Sequence, residues 1–419
     1  MNHVEPSPEP EPTLESRPPP EPKPESRSTG DPTREPRLDS SPHEPPPEPQ
    51  AESRATLEPN ESRTATDTAS LTASLEQPPT PRPTPRPEPD PTTADAPYPP
   101  SGVDPRGAAA APPPFDARQA WAAVRLWMET ANIKTRRWGG KGRHHWYALY
   151  AATRAFDWVL RAVGQHERGY RNACDLALRD LDHALPRVPR AFDGYSILHL
   201  SDLHLDGMPE LVDIILDQLG DRRFDLCVLT GDYRTELHGP ILPTMRALER
   251  LLRGVRTRDG TLAILGNHDD CHMVAPFEEM GVRMLLNESV SIERGGARIV
   301  LVGTDDVHYY YTDQALHALE RAAGEPFSIA LVHSPELYDT ASRLGIDLYL
   351  CGHTHGGQVC LPGGIPVITH LSRGRRYFRG VWRHREMRGV THCGTGTSGI
   401  PVRFNTRGEI LVHHLRAPA

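Results

Sequence analysis

The sequence lacks any CxxC pair, any apolar run approaching ~18 residues and, beyond its first quarter, much proline. Each absence excludes something. Six cysteines at 174, 227, 271, 351, 360 and 393, without paired spacing, argue against a disulfide scaffold and for buried thiols in a reducing compartment. Without a long apolar run, no membrane-spanning helix is expected. The opening MNHVEPSPEPEP has neither a basic n-region nor an apolar h-region, so no secretory signal is expected either. Of the 44 prolines, 32 fall in residues 1–114, which leaves 12 for the rest. Hydrophobic residues are 37% of the 419, below the roughly 45–50% usual for globular chains, and the first quarter is the reason.

Charge divides the chain the same way. Residues 1–114 carry a net −10, residues 115–190 a net +7, and residues 191–419 a net −5. An acidic tail, a basic middle and a mildly acidic body argue against specific nucleic-acid binding. The tail alternates Pro, Glu, Ser, Thr and Arg and cannot bury enough apolar surface to offset its ordering entropy. It is expected to be a disordered Pro/Glu-rich spacer, with polyproline II character over 81–91 and a PxxP ligand as its functional alternative.

Residues 115–190 are a basic, Trp-rich helical segment holding five of the six tryptophans. Helices are expected from Asp116 through Trp127, from Trp146 to Val163, and from about Tyr170 to Leu185. Between the first two lie Lys134, Arg136, Arg137, Lys141, Arg143, His144 and His145. Aromatic and basic residues over 121–158 suit an anionic membrane surface. The preferred reading is a helical layer packed on the body with a solvated basic loop.

From residue 191 onward short apolar runs alternate with helix-like stretches at 208–219 and 243–252. The runs are 195–200, 226–230, 261–265, 299–302, 328–332 and 348–351. Buried strands alternating with helices give an α/β domain with covered sheets, whose chemistry collects at the strands' carboxyl ends. Five of the six ends deliver metal-ligand types: Asp202 and His204; Asp232; Asn267 and His268; His333; His353 and His355. In an extended segment residues i and i+2 point the same way, so Asp202 with His204, and His353 with His355, are each expected to aim at one place. Adjacent Asn267 and His268 should diverge, one to metal and one to substrate. Seven nitrogen and oxygen ligands without thiolate suit two divalent ions, of Mn, Fe, Zn or Co, about 3.5–4 Å apart.

The blocks DLH, GD, GNHD, HSP and GHTHGGQ, in that order, resemble the calcineurin-like metallophosphoesterases over about 192–415. GHTHGGQ with GTGTSGIPVRFNTRGEI (394–410) is similar to a bacterial membrane-associated branch that includes UDP-2,3-diacylglucosamine pyrophosphatases. The resemblance implies a two-sheet α/β sandwich flanked by helices. It implies a dinuclear phosphodiesterase or pyrophosphatase, hydrolysing a P–O bond with water activated between the ions. One ion would take Asp202, His204, Asp232 and His355, and the other Asp232, Asn267, His333 and His353, with Asp232 bridging. His268 would be the proton donor or oxyanion stabiliser. The substrate expected is a phosphodiester, lipid-linked or a UDP-sugar lipid. The expected location is the cytoplasm, with a peripheral place at the inner face of the plasma membrane if the basic helices bind membrane. The alternative is a tethered scaffold on an inactive phosphoesterase fold.

Several smaller features compete as structural. Cys271 beside His272 reads as a structural thiol, with ligand or nucleophile as its alternative. GTGTSG (394–399) reads equally as a phosphate cradle or a plain turn. Asp305, Asp306 and His308 read as loop residues. Arginines 373, 375 and 376 read equally as phosphate contacts or a solvated loop.

Overall fold

The computed structural model describes residues 115–418, less 132, 137–139, 144–145 and 238. The tail 1–114, with its polyproline stretch, lies outside the described residues, as do Arg137, Trp138, His144 and His145. The side chains of Arg136, Lys141, Arg143, Trp146, Leu149 and Tyr150 are outside them too.

Two six-stranded sheets form the body. The first has the order Ala177–Ala184, Glu409–Arg416, Ser196–Leu200, Leu226–Leu229, Thr261–Ala263, Arg283–Met284. Its last four strands are mutually parallel, and Glu409–Arg416 runs antiparallel to Ser196–Leu200. The second has the order Glu288–Arg294, Ala297–Gly303, Ser328–Leu331, Leu348–Cys351, Met387–Thr391, Gly380–His384, parallel across its middle and antiparallel at both edges.

Strand periodicity assigns the faces. Ile197, Val228, Ile299, Leu301, Ile329, Leu331, Leu348 and Leu350 meet between the sheets. Their neighbours Leu198, Leu200, Cys227 and Leu229 turn outward under the helices Leu211–Leu219 and Leu242–Gly254. Val300, Val302, Ala330 and Tyr349 turn to the opposite outer layer, with the helix Asp313–Arg321. Strands buried on both faces read as continuous apolar runs, which is why all six expected strands are present.

The segment 115–190 departs from expectation at its end. Helices α1 (Phe115–Thr130) and α2 (Trp146–Ala162) are as expected, but α3 spans only His166–Cys174. Residues Ala177–Ala184 are a strand pairing parallel with Glu409–Arg416, not the second half of a helix. Leu181, His183 and Leu185 lie two apart and face the inter-sheet core, so the period was two rather than 3.6. The basic loop also has structure: Ile133–Arg136 and Gly140–Arg143 pair as a hairpin. Thr135 N–H donates to the Tyr309 carbonyl at 2.6 Å and Tyr311 N–H to the Thr135 carbonyl at 3.1 Å, docking the hairpin on the body.

α1 packs through Trp121, Arg125 and Met128, at helical spacing, and leaves Val124, Leu126 and Trp127 exposed. α2 buries Leu160 against Ile400 and Val402 and exposes Phe156, Trp158 and Val159, with Val163 exposed just beyond its end.

The inter-sheet layer also holds a row of buried imidazoles. His183 Nε2 and His413 Nδ1 are 2.9 Å apart, His413 Nε2 and His199 Nδ1 3.1 Å, and His199 Nε2 and Thr230 Oγ1 2.9 Å. Burial, with Arg388 adding, lowers His183 to about 3, and burial holds His199 and His413 well below their usual range. Above pH ~6.5 these histidines are neutral in both folded and unfolded chains. Below it only the unfolded chain takes up their protons, so stability falls by up to ~1.4 kcal/mol per pH unit for each. Urea midpoints at pH 7.5 and pH 5 should therefore differ, and His413→Gln should narrow the difference. An unchanged difference would mean that His413 titrates normally in the folded protein.

Candidate metal centre

The candidate ligands all follow strand ends on one edge of the sandwich: Leu200, Leu229, Ala263, Leu331 and Cys351 close the strands that precede them. The loops bind one another through backbone groups. Asp202 N–H donates to the Gly231 carbonyl at 2.9 Å, His204 N–H to the Asp232 carbonyl at 3.1 Å, and Gly352 N–H to the His333 carbonyl at 2.8 Å. Asp202, His204, Asp232, His353 and His355 have φ of 53°, 43°, 58°, 75° and 51°. These are left-handed conformations costing of order 1–3 kcal/mol each. Asp202 and His204 therefore converge because of tight left-handed turns, not because i and i+2 of an extended segment share a face, whereas His353 and His355 part, His355 joining Asp202, His204 and Asp232, and His353 joining Asp232 and His333.

Two groups of ligand atoms result, each within 4.8 Å: Asp202, His204, Asp232 and His355; and Asp232, His333 and His353. Asp232 belongs to both. Asn267 Oδ1 lies 3.2 Å from His333 Nε2, beside the second group. His268 lies outside both groups. Its N–H donates to Asp232 Oδ1 at 2.8 Å, its Nδ1 is 2.9 Å from the Thr235 carbonyl, and its ring meets that of His204 edge-on.

The donor set fits divalent cations. His204 Nδ1 lies 2.9 Å from the Arg234 carbonyl and His333 Nδ1 2.7 Å from the Thr230 carbonyl. Those acceptors assign each N–H to Nδ1 and aim the Nε2 lone pair into the cluster. His353 Nδ1 and Nε2 and His355 Nδ1 are buried without a hydrogen-bond partner. A Cβ on Gly266 would fall on the Asp232 carboxylate, and one on Gly352 on the Ser201 hydroxyl and the Asp202 carboxylate, so both carboxylates lie against bare backbone.

Electrostatics reflect crowded charges in low dielectric. Burial raises the Asp202 carboxyl to about 7 and lowers the His204 imidazole to about 4. Burial also holds His353 and His355 well down, aided by His308 in one case and His204 in the other. Burial opposes charge on His333, but Asp232, 3.2 Å away, outweighs it and keeps the imidazole near 10. A cation would take the place of that proton.

Several residues that build the site carried no role in the sequence reading. Asp269, in the GNHD block, accepts from the N–H groups of Asp232, Tyr233 and Gly266 at 2.8, 2.8 and 2.7 Å. Arg403 is fully buried and donates to the carbonyls of His355, Cys393, Gly394 and Gly396. In GTGTSG, Gly394, Thr395, Gly396 and Ser398 already donate their N–H groups within the protein, which makes this stretch a structural turn. Asp305, Asp306 and His308 are buried rather than ordinary loop residues, and the His308 ring lies 4.2 Å from that of His353. Burial, with Glu129 adding, pushes the Cys271 thiol up, which disfavours a thiolate nucleophile. The signals were available only in part: an Asp after Asn-His, and an Arg in a Pro/Gly-rich stretch.

The family model described as calcineurin-like phosphoesterase matches residues 195–357. An uncharacterised metallophosphoesterase, YkuE of Bacillus subtilis, is 30% identical over 243 residues, which cover 55% of this chain and 82% of the relative. The chain belongs to the calcineurin-like metallophosphoesterases. It is a metal-dependent phosphoester hydrolase. Phosphodiesterase YaeI of Escherichia coli is 28% identical, over 59% of this chain and 92% of its own. A bovine transmembrane protein with metallophosphoesterase domain is 29% identical, over 58% of this chain and 57% of its own.

The phosphoesterase's cradled carboxylates give a direct test. Gly352→Ala should push the Asp202 carboxylate aside and cost about 10–100-fold in metal affinity or turnover, with the fold retained. Metal content by elemental analysis, together with circular dichroism, checks it.

Proposed function

We propose that the protein hydrolyses a P–O bond of a phosphodiester or pyrophosphate with two ions, drawn from Mn, Fe, Zn or Co. Asp202, His204, Asp232 and His355 would hold one. Asp232, Asn267, His333 and His353 would hold the other. The observation that carries this reading is the membership of Asp232 in both groups of converging ligand atoms. Bound there, divalent ions would supply an activated water nucleophile and neutralise charge on the non-bridging phosphate oxygens.

The chain's own residues do the rest. Thr235 fixes the His268 ring through Nδ1, which leaves Nε2 to hold a proton for the leaving oxygen. His204 and His333 stay oriented by the carbonyls of Arg234 and Thr230. The scaffold alternative is weaker, because none of the seven candidate ligands is missing.

Chelation should abolish hydrolysis of a bis-aryl phosphate, with Mn, Fe, Zn or Co restored singly to find the active ion. Asp232→Asn should lose both ions, and full occupancy in that variant would sink the bridging role. His268→Ala should keep both ions and lose about 10²–10⁴ in turnover. Metal content falling in step with activity would make His268 a ligand instead.

We further propose a lipid-linked substrate, presented at an anionic membrane surface on the inner face of the plasma membrane. No helix among the described residues is long and apolar enough to cross a membrane. Support for a peripheral arrangement comes from α2, where Trp158 is 70% exposed beside Phe156, Val159 and Val163. A second exposed apolar group, Leu361, Ile365, Val367 and Ile368, lies in and just after the hairpin of Cys360–Leu361 with Ile365–Pro366. That hairpin follows directly on His355. The basic residues from Lys134 to Arg143 would add roughly 1 kcal/mol each near anionic lipid, screened by salt. The bovine relative's name, a transmembrane protein, agrees with a membrane setting for this branch.

The full-length protein should co-sediment with anionic vesicles at low salt and be released at high salt. Trp158→Ser combined with Lys134→Gln and Arg136→Gln should weaken binding and spare hydrolysis of a small soluble ester. If wild type ignores such vesicles, a soluble substrate is the better reading.

A further inference from the structure

α1 lies wholly outside the stretch matched by the family model, yet it reaches the catalytic edge. Its Arg125 is 1% exposed. One guanidinium nitrogen, Nη2, donates to the carbonyls of Gly266 at 3.1 Å and Asp269 at 2.9 Å, the two residues that bracket Asn267 and His268. Nε donates to Glu129 at 2.6 Å, Nη1 donates to Asp305, and the guanidinium lies 3.7 Å from the Tyr310 ring centroid. Glu129 also accepts from the Cys271 N–H at 3.2 Å, so α1 grips the loop on both sides. Trp121 Nε1 donates to Asp305 at 2.7 Å and fixes the carboxylate that faces Arg125. The Asp269 carboxylate then carries the connection onward to the Asp232 and Tyr233 N–H groups.

We propose that Arg125 is a positioning residue for hydrolysis: α1 braces the 266–269 loop and thereby sets where Asn267 and His268 stand. This rests on the roles proposed above for those two residues. Burying a guanidinium with two carboxylates is a poor way to gain stability, since apolar residues of similar volume often do as well. Its planar fork, however, reaches two carbonyls and two carboxylates at once, which fixes a loop in a way an ammonium cannot. The GNHD block supplies the ligand and the acid, and a helix over a hundred residues upstream supplies their position.

The test uses the full-length, metal-loaded protein and a small soluble phosphodiester. Arg125→Lys keeps the charge and loses the fork. It should lower kcat by about 10–100-fold with KM within about twofold and metal content unchanged. Arg125→Ala should regain part of its own kcat loss in millimolar guanidinium, with metal content and circular dichroism unchanged by the addition. The double variant Arg125→Lys/His268→Ala should lose less than the sum of the two single effects, because both act through one loop. Wild-type kcat in metal-loaded, folded Arg125→Lys overturns the brace, and so does full additivity. If Arg125→Ala does not fold, Arg125→Lys and the double variant decide alone. Wild-type turnover in His268→Ala alone would instead remove the underlying role of His268, so the two failures are distinguishable.

Discussion

Five acid and imidazole side chains at the strand ends project from left-handed backbone, and the rest of the catalytic edge depends on holding them there. Such conformations cost of order 1–3 kcal/mol each and persist only where the surroundings over-determine them. Here each strand-end turn hydrogen-bonds the next: Asp202 to Gly231, His204 to Asp232, Gly352 to His333. The Asp269 carboxylate gathers three further N–H groups, and buried Arg403 gathers four carbonyls. The parallel strands behind them are buried on both faces, which gives these strained turns a rigid base.

The same packing creates an electrostatic problem that a cation resolves. Carboxylates and imidazoles with no access to water are held out of their ordinary ranges, Asp202 upward and His204 downward, both by burial. His333 and Asp232 answer one another across 3.2 Å. His353 keeps both ring nitrogens without a partner. Unpaired buried polar atoms are costly, so an arrangement of this kind is stable when its lone pairs point at a positive charge. Metal dependence in this phosphoesterase is in that sense a property of the fold.

The two N-terminal helices meet the body in opposite ways. α1 presents Trp121, Arg125 and Glu129 inward, where each makes a polar contact with residues behind the site. Among its described side chains, α2 buries Leu160 and turns Phe156, Trp158 and Val159 outward, with Val163 exposed just beyond it. Tryptophans and basic residues alike on paper thus divide between a packing element and an exposed apolar face.

What the sequence by itself determined is the set of short-range features. Five of the six apolar runs from 195 onward ended in a ligand-bearing block, because a doubly buried strand must be largely apolar and must stop where polar turn residues begin. Glycines 231, 266 and 352 marked the tight turns. Tertiary structure alone decided the rest. The run 177–184 carries leucines that suit either period, and only pairing with Glu409–Arg416 made it a strand. Asp305, Asp306 and His308 resembled loop residues because nothing local reveals that α1 and a neighbouring imidazole cover them. The convergence of Asp202 with His204 was legible, but its cause was not: the φ of each residue is set by hydrogen bonds from loops that arrive from elsewhere in the chain. Arg125 is the plainest case. On α1 it is one of two basic residues, and only the fold brings it to the carbonyls of Gly266 and Asp269, 141 and 144 positions away.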